Sequence, residues 1–415
     1  MILGTDYVST NIKPVRLSTD ALRRHLYIVG KSGTGKSVLL DNLITGLIED
    51  GSGCCLIDPH GDLAEAVASR IPQKRINDVI YFDPADLSYS IGYNPLESTA
   101  IDNRPLVAEN VLSAFAHVWG LSAQHTPRLL HILRNALRLL LDNQETLLGL
   151  PLLLTNARYR ERLLKRCEDA TVRMFWDDEF GRWNDRQRSD YIASSQNKAG
   201  ALMGNPTMRN TLSHSTLDLA AVMNGGQVLV CNLSKGKLGE ETSNLLGALL
   251  ATGFAQAAHG RAAIPEEQRR DFTLFIDEFQ NFTTSAFADI LSEARKYRLA
   301  LVVAHQYLSQ VPEALQDAVI GTANTTIVFR CGANDAPLLA SELDLDQPRE
   351  LKNIPNYRAI VRTLQDGFPG NVHRIQTMAP RPVGKRLPAV RKRTRARYAR
   401  PRAMVEGRVQ RMLEG

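Results

Sequence analysis

The segment Gly30-Lys31-Ser32-Gly33-Thr34-Gly35-Lys36-Ser37 fits G-x-x-x-x-G-K-[ST] without a mismatch. Glycines let successive backbone N–H groups turn inward around a phosphate, Lys36 brings charge to the β and γ oxygens, and the Ser37 hydroxyl suits Mg2+. The run FTLFIDEF (272–279) places Asp277 and Glu278 after apolar residues. Asp277 would orient the Mg2+ through its water shell, and Glu278 would polarise an attacking water. LALVVA (299–304) runs into His305-Gln306, where a strand-tip amide could sense the γ-phosphate. Arg295, in EARKYR, could neutralise transition-state charge in a neighbouring subunit, with Arg298 as a rival. ATP and Mg2+ are the implied cofactors. Asp58, in IDPHGD, either helps order this site or starts an ordinary Asp-Pro loop. Asn224-Gly-Gly-Gln227 leads straight into a strand and reads as a turn.

These groups need a scaffold that gathers strand tips. HLYIV (25–29) enters the glycine loop directly. Beyond it Leu39, Leu40, Leu43, Ile44, Leu47 and Ile48 recur at helical spacing until Gly51 and Gly53. CCLID (54–58), DVIYFD (78–83), QVLVCNL (227–233), FTLFID (272–277), LALVVA (299–304) and TTIVFRC (325–331) predict further strands. Their alternation with helical segments predicts an α/β, mostly parallel sheet. Strand material between the glycine loop and Asp277-Glu278 points to ATPases with an additional catalytic glutamate and away from kinases. From about Pro105 to Met223 helical periodicity runs almost without β-branched stretches, which predicts an inserted all-α domain. YRAIVRTL and NVHRIQTM (357–364, 371–378) bracket QDGFPG as a closing hairpin. The expected organisation is 1–104 and 224–380 as two halves of one core, 105–223 as the insertion and 381–415 as a tail.

The chain has 415 residues, 44% of them hydrophobic, enough for two folded units. No apolar run approaches the roughly 18 residues needed to cross a bilayer. The leucine-rich stretch 129–141 is broken by Arg134 and Arg138. MILGTDYVSTNIKP lacks the basic and apolar blocks of a secretory signal. Five cysteines make no CxxC and nine histidines show no metal spacing, which fits a reducing cytoplasm. Residues 381–415 hold twelve Lys or Arg against Glu406 and Glu414, a net of +10. The whole chain carries +6, leaving −4 on the rest. With little apolar periodicity before residue 403, the basic tail is expected to be disordered and to suit a DNA backbone without reading its sequence.

HLYIVGKSGTGKS, CLIDPHGDL, YNPLE, NLSKGKLGEE, FIDEFQNF, EARKYRLALVVAHQ and TTIVFRC, in this order from about His25 to Arg330, resemble the FtsK–HerA superfamily of DNA-pumping ATPases. The similarity is closest to the TraD/TraG-like coupling proteins of conjugation and type IV secretion. The resemblance implies a RecA-like P-loop core, an inserted all-α domain, a ring that is usually hexameric, and ATP-driven movement of DNA. It also implies that Lys36 and Ser37 bind phosphate and Mg2+, that Asp277 and Glu278 form the Walker B pair, that Gln306 is the sensor and that Arg295 is the trans-acting finger. Two other roles stay open, an ATP-gated platform recruiting relaxase or effector proteins and a HerA-like partner of a nuclease. Only 24 residues precede the first predicted strand, too few for the membrane helices or β-barrel of such relatives. The expected location is cytoplasmic, with the inner membrane reached through a partner such as a secretion-channel protein.

Overall fold

The computed structural model describes residues 1–8, 13–97, 100–282, 284–365 and 368–414. Its strands are β1 (Ile2–Asp6), β2 (Pro14–Arg16), β3 (Leu26–Val29), β4 (Gly53–Asp58), β5 (Val79–Phe82), β6 (Tyr89–Ile91), β7 (Val228–Asn232), β8 (Phe272–Ile276), β9 (Leu299–His305), β10 (Thr325–Val328), β11 (Arg358–Gln365), β12 (Phe368–Thr377) and β13 (Ala399–Pro401). Every residue of β3, β4, β5, β7, β8 and β9 is buried. That pattern belongs to parallel strands covered by helices on both faces, and it explains their near-continuous apolar sequences.

The chain divides into two units. The first comprises Met1–Phe82, Leu219–Gly236 and Phe254–Thr394. It contains one sheet in the order β2-β1-β12-β11-β10-β3-β9-β8-β4-β7-β5. Pairing is parallel from β10 to β5. It is antiparallel through the remaining edge. The seven strands expected from apolar runs are the seven parallel ones, and the RecA-like α/β architecture follows from them. Helix Lys36–Glu49 buries Leu39, Leu40, Leu43, Ile44, Leu47 and Ile48, the stripe visible in the sequence. The expected hairpin is β11 and β12, registered Ile360↔Arg374 and Val361↔His373. Asp366 and Gly367, at the centre of its predicted turn, lie outside the described residues.

Two short strands precede β3 in the region expected to be a plain lead. β1 pairs with β12, Gly4 opposite Thr377, and β2 pairs with β1. β1 reads ILGTD and is buried at only two positions, so it lacks the apolar run that identified the central strands.

The second unit comprises Asp83–Asp218, Lys237–Gly253 and Arg395–Gly415. Its helices include Arg104–Trp119, Pro127–Asp142 and Asp185–Gly204. Asn184 starts the last of these with a capping box, its side chain accepting from Gln187 N while the Gln187 side chain accepts from Asn184 N. The unit departs from an all-α insertion over 105–223 in starting earlier and in recruiting distant segments. Trp119 Nε1 donates to Glu241 Oε1 at 3.0 Å, and Asn205 Nδ2 to Thr242 Oγ1 at 2.9 Å. β13 pairs with β6 in a two-stranded ribbon, Arg400 opposite Ser90. Such long-range pairings leave no periodic trace in the sequence.

The basic segment is ordered where disorder was expected. Leu387–Tyr398 and Arg402–Glu414 are helices. In the first unit Val390 joins the hydrophobic core, and Thr394 Oγ1 accepts from Tyr81 N at 3.0 Å. Arg381 pairs with Glu49 at 2.7 Å, and Arg391 with Glu65 at 3.3 Å. In the second, Arg395 pairs with Asp86 at 2.7 Å. The charge difference between tail and body thus draws these arginines onto body carboxylates, a term that composition alone assigned to an outside partner. Among the described residues no helix is long and apolar enough to cross a membrane.

Candidate nucleotide-binding site

β9 lies between β3 and β8. The segments that follow the carboxyl ends of these three neighbours are therefore the glycine loop, Gln306 and Asp277-Glu278. The carboxyl ends of parallel strands are where α/β sheets bind ligands. The loop and the acids stand two strand spacings apart, about 10 Å.

The loop is anchored from both flanks. Gly30 N donates to His305 O at 3.3 Å and Lys31 N to Arg330 O at 2.9 Å. Gly33 and Gly35 have φ of +74° and +117°, which side chains with a Cβ resist. Thr34 is buried and its Oγ1 donates to Lys31 O at 2.7 Å, whereas Ser32 is exposed. The first-turn amides of helix Lys36–Glu49 have no carbonyl one turn back to accept them, and Ser37 is exposed there. Lys36 is buried and its Nζ donates to Gly30 O at 2.5 Å and Lys31 O at 3.4 Å. Burial pushes its pKa down, while the Glu278 and Asp277 charges pull it up.

Asp277 and Glu278 are both buried. Burial, then the charges of Glu278 and Asp58, push the Asp277 carboxyl up to about 7, with Lys36 opposing them. Buried carboxylates facing a lysine form a donor set that suits a divalent cation on Asp277 and Ser37. Glu278 has a left-handed φ of +48°. Gln306 Nε2 donates to its Oε1 and Gln280 Nε2 to its Oε2, both at 2.8 Å. Asn281 Nδ2 donates to Glu278 O, and Lys235 Nζ donates to Asn281 Oδ1, each at 2.9 Å.

Gln306 is positioned by its neighbour. His305 is fully buried, and burial lowers its pKa to about 4, so the ring is neutral. Its Nδ1 donates to Tyr307 O at 3.0 Å and its Nε2 accepts from the Tyr27 hydroxyl at 2.5 Å. The backbone on either side of Gln306 is thereby fixed.

Asp58 takes the loop-starting role. Its two oxygens accept from His60 N and Ala64 N at 2.8 Å each, and only its charge acts on Asp277. Asn224 and Gly225 end helix Leu219–Gly225 just before β7. Arg295 is not brought to this site. It lies exposed in the turn Ala294–Tyr297 at the amino end of β9, a seven-residue strand whose carboxyl end leads to Gln306. That length separates the two by about 20 Å. Arg298 stands 3.9 Å from Asp271 of the same chain. Gln280 escaped the sequence reading although it stands two residues after Glu278; the signal was a second amide in DEFQNF.

The profile of the family "Helicase HerA, central domain" matches residues 3–252. That of "TraM recognition site of TraD and TraG" matches residues 271–343. Among solved structures, the bacterial conjugative coupling protein TrwBdeltaN70 is similar with a TM-score of 0.68 and 18% identity, over 91% of this chain and 89% of its own. Plasmid coupling protein TrwB in complex with ADP and Mg2+ gives 0.65 and 19%, over 93% and 96%. VirB4 of Thermoanaerobacter pseudethanolicus gives 0.57 and 14%, over 91% and 96%. At these identities the likeness is one of fold. No curated protein matches the chain.

Proposed function

We propose, because this chain belongs to the HerA central-domain family and is a P-loop ATPase, that it assembles into a ring, hexameric in the simplest case, and uses ATP and Mg2+ to move DNA. The observation that carries this reading is the Glu278 carboxylate, held between two amide donors at the tip of the strand beyond β9 from the glycine loop. TrwB, whose fold this chain shares, has been seen with ADP and Mg2+, which supports the same cofactors here.

ATP bound in the loop supplies the phosphoanhydride, and Mg2+ the counter-charge that polarises it. Lys36 would exchange the Gly30 and Lys31 carbonyls for phosphate oxygens. The amides of the Gly30–Ser37 loop would surround the phosphates, with Ser37 and Asp277 holding the cation. Glu278 would accept a proton from water on the carboxylate edge not taken by Gln306 and Gln280. Gln306, bonded to Glu278, is placed to exchange that bond for the γ-phosphate and so report its presence. Arg295, about one strand length away, would serve a neighbouring copy, and Arg298 is already beside Asp271.

Lys392, Arg393 and Arg400 are exposed and offer phosphate contacts. Segment 271–343 resembles a TraM recognition site, which supports docking of a relaxosome or secretion-channel protein and membrane contact through it. The test is ATP turnover with and without duplex or single-stranded DNA over a salt series. Several-fold stimulation that fades steeply with salt is expected. Turnover indifferent to DNA but raised by a relaxase would replace the motor with a recruitment platform.

Lys36→Ala should weaken nucleotide binding by about thirtyfold or more, the usual cost of removing one partner of a buried charge pair. The rise in Tm on adding Mg2+-ATP should vanish when read against the variant's own nucleotide-free Tm, which the loss of a buried counter-charge to Asp277 and Glu278 also changes. An undiminished shift would remove Lys36 from the site.

A further inference from the structure

Tyr357 has an unusual setting. It immediately precedes β11, carries a bulky side chain at a φ of +62° and is 43% exposed. Four hydrogen bonds hold its backbone. Its N–H donates to Thr34 O in the glycine loop at 2.7 Å, and its carbonyl accepts from Thr377 N at 2.9 Å, Thr377 Oγ1 at 2.9 Å and Gln376 Nε2 at 3.0 Å. The ring reaches the loop itself, since a Cβ on Gly35 would lie 3.1 Å from Tyr357 Cδ1. Beside it, Arg330 Nη2 donates to Asn356 Oδ1 at 2.9 Å while Arg330 O accepts from Lys31 N at 2.9 Å. A non-glycine residue kept in the left-handed region by so many bonds costs backbone energy, and such positions concentrate at ligand sites.

The sheet order gives the ring a direction. β9 and β8, with Gln306 and Glu278, flank β3 on one side, and β10 and β11, with Arg330 and Tyr357, flank it on the other. A triphosphate whose terminal phosphate faces Glu278 therefore sends its nucleoside toward β10 and β11. We propose that the Tyr357 ring is the platform on which the nucleobase stacks, a purine by preference because its larger π-face covers more of the ring; this rests on the nucleotide-site reading above. The strained backbone keeps the ring beside the loop, and the Arg330–Asn356 pair borders the same edge.

The test measures binding of Mg2+-ATP and of Mg2+-tripolyphosphate, which has no base, by titration calorimetry on the full chain. Asn tolerates the left-handed region, so Tyr357→Asn deletes the ring with little change in the backbone. ATP affinity should fall about tenfold or more, as for loss of a base–aromatic stack, while tripolyphosphate affinity stays within twofold. Tyr357→Phe should match the wild type with both. Unchanged ATP affinity in Tyr357→Asn would overturn the platform alone, as would equal losses for the two ligands, which would show a loop support. Wild-type protein that binds neither ligand would overturn the nucleotide-site reading and the platform with it.

Discussion

Arg295→Ala protein should bind ATP as tightly as the wild type and hydrolyse it about a thousandfold more slowly or worse, the range over which arginine fingers act. Two structural facts lead to this expectation. The guanidinium is exposed at the amino end of β9 and has no ion-pair partner among the described residues, so its removal leaves no buried charge uncompensated. About 20 Å of strand separates it from Gln306, beyond the reach of a side chain, so it does not reach the nucleotide site of its own chain. Mixing Arg295→Ala with Lys36→Ala subunits should therefore restore part of the turnover, because a subunit with an intact loop can meet an intact arginine next door. Phosphate release measured across mixing ratios checks this. No recovery at any ratio would exclude a role in trans, and full activity in Arg295→Ala alone would exclude the finger.

Glu278→Gln should lower turnover by about 10²–10⁴-fold, the contribution of a positioned general base, and leave ATP bound. The surroundings make the change harsher than its near-isosteric shape suggests. Both carboxylate oxygens accept from amides, Gln306 on one and Gln280 on the other. A glutamine at 278 has one oxygen and one NH2 group, so the neighbour that faces the NH2 must turn its own amide to present its oxygen. The substitution would thus remove the base and also reorient the amide of either Gln306 or Gln280. A single-turnover assay with phosphate detection, paired with equilibrium ATP binding, separates the two steps. Normal turnover would strip Glu278 of the role of base.

The positions of the glycine loop and of Asp277-Glu278 were legible because each signal is local. Gly30 to Ser37 needs eight consecutive residues, and Asp277-Glu278 needs only the apolar strand before it. The seven parallel strands were legible because burial on both faces makes them continuously apolar. β1 and β2 escaped because these short strands bury few of their residues, and Tyr357 because its contact with Thr34 spans most of the chain. Helix Leu387–Tyr398 escaped for a different reason. LPAVRKRTRARY buries just Val390 and Thr394, one helical turn apart, and its order rests on these two against the core together with arginines that meet acids elsewhere in the fold. Composition registers such charge but not the carboxylate that meets it.

β9 joins Gln306 at its carboxyl end to the Arg295 turn at its amino end. It is seven residues long, buried throughout and bonded to a strand on each side, so it holds the segment at its carboxyl end and the exposed turn at its amino end at a fixed separation. Gln306 can therefore exchange partners only by turning its own side chain, while Arg295 keeps its place at the other end. In a closed assembly, the span from one copy's Gln306 to the arginine it would offer its neighbour would then be set by this strand, the same in every nucleotide state.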